Sequence, residues 1–165
     1  MTLNDNDYDL EAEYDRLTER MERMADKQAS LPANSDAASQ AAAEGQRAGR
    51  LRSGVSWAMS ELDAESVRLG ALTNGERHRV RDVVNDTGWK QSDVFIAAGT
   101  IEAPYLRHDA DAITDDEFRE TVLEVADLHP AFCDWLEEKI SDLSRVGDEG
   151  KSYRELVVEK RTSET

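Results

Sequence analysis

One cysteine, Cys133, and three prolines are all that this chain of 165 residues holds of those two types. A lone thiol excludes an intramolecular disulfide, and Cys133 stands beside Phe132, Trp135 and Leu136 as a small core residue would. No apolar run approaches the roughly 18 residues of a membrane span. The opening acids Asp5, Asp7 and Asp9 are the reverse of a secretory signal's basic region, so the chain is expected to stay in the cytoplasm.

Signatures of catalysis are missing too. His78, His108 and His129 are far apart and form no HxxxH or HExxH, and there is no glycine-rich phosphate loop, GxSxG or CxxC. The carboxylate-dense stretch of His108, Asp109, Asp111, Asp115, Asp116 and Glu117 lacks the glycine and ligand spacing of an EF-hand. It reads as a solvated loop entering a helix N-terminus, where acids suit the dipole. The sequence therefore assigns no catalytic residue, no cofactor and no metal, and points away from an enzyme.

Basic charge is scarce: 36 acidic side chains face 20 basic ones, a formal net charge of −16. Phosphates would be repelled, which disfavours nucleic acid and anionic membranes as partners. Lysine occurs only at Lys27, Lys90, Lys139, Lys151 and Lys160, so arginine dominates what basic charge there is. Dense carboxylates with little lysine resemble the composition of halophilic proteins, whose self-repulsion concentrated salt screens.

What is present is helical periodicity. Leu10, Tyr14, Leu17, Met21 and Met24 alternate steps of four and three, the stripe of a short coiled-coil helix. Two readings stay open: a partner-binding or self-associating arm, or an amphipathic arm folded back on its own domain. Residues 30–53 are rich in Ala, Ser, Gly and Gln and read as a flexible linker carrying the basic cluster Arg47, Arg50 and Arg52. Val55, Trp57 and Met59, then Val67, Leu69 and Ala71, alternate with small or polar residues around the polar stretch 63–65, the pattern of a β-hairpin with Trp57 exposed to a partner.

Four helices follow. Thr73 with Glu76, and Thr114 with Glu117, make capping boxes; Gly88 marks one helix end; Pro130 suits the first turn of another. A fourth lies over residues 92–101. The expected fold is mainly α: an acidic amphipathic arm over 1–29, a linker over 30–53, a hairpin plus a compact bundle of about four helices over 54–146, and a weakly ordered tail over 147–165. Leu10, Tyr14, Leu17, Met21, Met24 and Trp57 are the expected partner-binding residues, with another protein as partner and a homo-oligomer possible.

The stretch from Val67 through Leu72-Thr73-Asn74-Gly75-Glu76-Arg77, then Ile101-Glu102-Ala103-Pro104, Leu128-His129-Pro130-Ala131-Phe132 and Leu143-Ser144 resembles the tail assembly chaperones of tailed viruses. The likeness spans residues 54–145. It implies a protein that keeps the long tape measure protein soluble until tail tube subunits polymerise around it. With the acidic composition, it implies a virus of a halophilic archaeon. The alternative is a dimeric regulatory or adaptor protein joined through residues 10–28.

Overall fold

A computed structural model describes residues 4–108, 113–145 and 153–163. The elements in order are β1 (Asp5–Asp9), α1 (Leu10–Ser30), α2 (Asp36–Glu61), β2 (Ser66–Gly70), α3 (Asn74–Thr87), α4 (Gln91–Gly99), β3 (Thr100–Glu102), α5 (Asp115–Ala126), α6 (Pro130–Leu143) and α7 (Tyr153–Ser163). The protein is mainly helical, with a small antiparallel sheet of order β1-β2-β3.

The arm and the linker of the sequence reading are one helical hairpin. Asp9 ends β1 and also caps α1, its carboxylate accepting from the Ala12 N–H. After a turn over residues 31–35, Ser35 caps α2 in the same way through the Ala38 N–H. The flexible linker expected over 30–53 is thus corrected: alanine is the strongest helix former, and the absence of large side chains serves close packing. Ala38, Ala41 and Ala48 are buried, while Met24 lies over Gly45 and Met21 over Gly49, where a side chain on α2 would crowd them. Small residues on α2 receive the larger stripe of α1.

The hairpin expected over 55–71 is likewise corrected in its first half. Val55 and Ala58 are buried on α2 and Trp57 is half-buried beside them, so six residues of period two there are the last turns of a helix. The second half is a strand, β2, but its partners come from elsewhere. β1 pairs with it from Asp5 opposite Gly70 to Asp9 opposite Ser66, and β3 flanks its other edge. The acidic run in β1 gives no strand signal of its own, and Tyr8 is its one large apolar residue.

The helical half follows the sequence more closely. Thr73 and Glu76 close a reciprocal capping box on α3, which ends at Gly88 with φ of 70°, a left-handed cap that glycine adopts freely. Thr114 caps α5, and His129 with Pro130 starts α6. One core joins both halves: Leu10, Leu17 and Leu51 from the hairpin meet Phe132, Trp135 and Leu136 of α6, all almost fully buried. α2 crosses α6 so closely at Gly54 that a Cβ there would fall on the backbone of Ala131 and Phe132.

Candidate protein-binding surface

The expected partner-binding residues divide on burial. Leu10 and Leu17 are fully buried core residues, which removes them from any partner surface. Tyr14, Met21, Met24 and Trp57 are half-buried. The Arg52 guanidinium lies over the Tyr14 ring at 5.4 Å, and Trp57 packs against His129 and Phe132 with centroids 5.8 and 6.1 Å away. The stripe on α1 is the seam of an intrachain hairpin, because α2 supplies a complementary face within the same chain.

The basic cluster also has internal partners. Arg50 bonds Asp134 at 2.9 Å and Arg47 approaches Glu138 at 3.8 Å, tying α2 to the acidic face of α6. His108 lies between Glu117 and Glu120. Asp109 and Asp111 fall outside the described residues; among those described, no group of three or more His, Cys, Asp or Glu is placed to hold a metal ion. Cys133 is half-buried, and burial, with Asp93 and Asp134 nearby, pushes its thiol up to about 11, so at neutral pH it is protonated and a poor nucleophile.

Glu13 forms the polar joint between α1 and α6. Its carboxylate accepts from Arg16 at 2.9 Å, from the Lys139 ammonium at 3.1 Å and from the Trp135 indole N–H at 3.3 Å. Lys139 is in turn held near the Tyr8 and Trp135 rings. Desolvation would raise the Glu13 carboxyl, but the hydrogen bonds and charges of Arg16 and Lys139 outweigh it and hold the group below its ordinary range. A depressed carboxyl stabilises the fold above its unfolded-state value, and that contribution is lost as pH falls through the folded value. Glu13→Gln should therefore cost about 2 kcal/mol at pH 6, the scale of hydrogen bonds to a charged group. In urea melts the gap to the wild type should narrow toward pH 3; a gap independent of pH would contradict the assignment.

An open surface lies between α3 and α4. Leu72, Val80, Val84 and Phe95 floor a groove of about 320 Å³, rimmed by Arg77, Arg81, Asn85 and Gln91. Leu72 and Val80 are buried, whereas Val84 and Phe95 remain half-covered. Arg77, Val80, Arg81 and Val84 follow at i, i+3, i+4 and i+7, so all four share one face of α3. Arg79, one step round the helix, pairs with Asp115 at 2.8 Å and covers the Phe118 ring. Arg77 and Arg81 enter none of the ion pairs among the described residues. Sequence reasoning passed over this face, whose signal was two arginines at helical spacing with valines in so acidic a chain.

No protein-family model, curated protein or solved structure matches the chain. No helix among the described residues is long and apolar enough to cross a membrane.

Proposed function

We propose that this chain is a non-enzymatic, protein-binding chaperone of the cytoplasm that holds a helical client in the α3–α4 groove. The observation that carries this reading is the half-covered Val84 and Phe95 on the floor of that groove, together with Arg77 and Arg81, which enter none of the ion pairs among the described residues. Val84 and Phe95 accept a bulky apolar side chain, while Arg77 and Arg81 favour carboxylates on either side of it. That is the chemistry of an amphipathic helix laid in a groove. The resemblance to tail assembly chaperones supplies the client: the tape measure protein of a tailed virus with a halophilic archaeal host, kept soluble during tail assembly.

Coexpression with that tape measure protein tests the proposal. The client should stay soluble and co-purify with the chaperone. Val84→Asp, which places a carboxylate in the groove at a half-exposed position, should reduce the bound client about tenfold, equivalent to 1.4 kcal/mol. A client equally insoluble with and without this chain sinks the reading.

A further inference from the structure

β1 is the outermost strand of the sheet, and among the described residues no strand pairs with its far edge. The Leu10 N–H donates to the Glu65 carbonyl at 3.0 Å, and the Ala71 N–H donates to the Asn4 carbonyl at 2.7 Å. With the register unbroken between them, Asn6 and Tyr8 also turn their main-chain groups to β2, so those of Asp5 and Asp7 point outward. All of β1 except Tyr8 is exposed. Proteins commonly block such an edge with a proline, a bulge or a covering segment, each of which stops any incoming strand. β1 has no proline and no register shift against β2, and among the described elements only β2 and the adjoining α1 pack extensively on it. Its guard is charge. Asp5, Asp7 and Asp9 project from the outer face, with Glu102 beyond β2, around Arg68, the sheet's one basic residue. Arg68 occupies one oxygen of Asp5 at 3.2 Å and Asp9 caps α1. Asp7, in the middle, enters none of the ion pairs or side-chain hydrogen bonds among the described residues.

We infer that the free edge of β1 takes an extended basic segment of another protein as a fourth, antiparallel strand. A guard of charge selects by sign: a second copy's β1 would set aspartate against aspartate, whereas a strand of opposite charge is drawn in. Asp5 and Asp7 each offer one N–H and one C=O to the incoming main chain. Lysines or arginines at alternate positions of that strand then come opposite Asp5, Asp7 and Asp9 on the outer face. Its intervening residues are apolar and lie on the face of Tyr8, whose ring meets Trp135 edge-on at 5.6 Å. Main-chain bonds supply the affinity and the alternating charge supplies the selectivity. β1 shares no residue with the α3–α4 groove, so this surface is additional to the client site and does not depend on it.

Fluorescence anisotropy of a dye-labelled peptide of alternating lysine and valine, titrated with the full chain at about 0.1 M salt, where the Debye length is still near 10 Å, provides the test. The peptide should bind saturably, and its counterpart of alternating glutamate and valine should not. Asp7→Asn should weaken binding about threefold, the scale of one cross-strand charge pair. Asp7→Pro removes the same charge and also the outward N–H, while the ladder to β2 keeps its bonds, so it should weaken binding about tenfold further. Peptides methylated on their amides decide the matter on the wild-type protein, whatever Asp7→Pro does to the fold. In the antiparallel pairing the lysine amides face β1, so methylating them should abolish binding, and methylating the valine amides should leave it. No binding of the alternating basic peptide overturns the inference. So does equal binding of the two methylated peptides, or of a peptide with its lysines in one block and its valines in another, since attraction to an acidic surface would then suffice. A wild type that self-associates and loses this with Asp7→Pro would put a second copy on the edge and overturn it as well.

Discussion

A chain that begins at Gly54 should not fold. Such a fragment lacks β1, α1 and most of α2, and with them Leu10, Leu17 and Leu51, each at most 2% exposed in the intact protein. Burying a leucine is worth about 1.5–3 kcal/mol, so these three alone contribute roughly 5–9 kcal/mol. A domain of this size has a net stability of about 5–15 kcal/mol, so little or none would remain. The loss also uncovers Phe132 and Trp135, whose stacked rings lie 5.7 Å apart beneath the hairpin, and leaves Lys139 without Glu13. Circular dichroism should show a weakly helical fragment with no cooperative melt; a sharp thermal transition would restore the idea of an independent domain after residue 53.

Replacing Gly54 by alanine should cost about 3 kcal/mol, and by valine more. In most helix interiors the change from glycine to alanine gains about 1 kcal/mol, because glycine loses more backbone freedom on folding. The sign is reversed here by position. The new Cβ would lie 2.5 Å from the Ala131 carbonyl oxygen and from the Phe132 backbone nitrogen, at the first turn of α6. Backbone cannot rotate away as a side chain does, so α6 must shift and carry Phe132 and Trp135 with it; overpacking of this kind reaches the upper end of its usual range. Gly75→Ala is the control: it sits in the exposed first turn of α3 with Thr73 Oγ1 3.9 Å away, an ordinary contact. Denaturant melts should separate the two variants clearly. A Gly54→Ala protein as stable as wild type would mean that α2 and α6 do not cross so closely.

How much of this was readable beforehand differs between the two halves of the chain. From residue 73 onward, capping residues and local periodicity specify α3, α5 and α6, since Thr73, Gly88, Thr114 and Pro130 act through bonds to their own neighbours. Before residue 62 the deciding information is mutual. The stripe from Leu10 to Met24 and the run of Ala38, Ala41, Gly45, Ala48, Leu51 and Val55 both advance in helical steps of three and four, and each is weak alone. Large apolar residues on one helix and small ones on the next are a matched pair, but a reading that scores each segment separately takes one for a free arm and the other for a linker. β1 was hidden for a related reason: an acidic strand is chosen by the edge it pairs with, through Tyr8 opposite Val67 and Asp5 opposite Gly70, and not by propensity. The groove went unread, because its arginines and valines belong to α3 and its Phe95 to α4, and only the fold brings them together.

The pairing of β1 with β2 also fixes an order of events. The α1–α2 hairpin joins neighbours in sequence and can form while the chain is still being made, whereas Asp5 must wait for Gly70, and Leu10 and Leu17 must wait for Phe132 and Trp135. A ribosome adding about 5–20 residues per second leaves that hairpin's inner face without its cover for several seconds. Early aggregation is therefore a hazard of synthesis, and the acids just before the hairpin, Asp5, Asp7 and Asp9, are placed to oppose it by mutual repulsion between nascent chains.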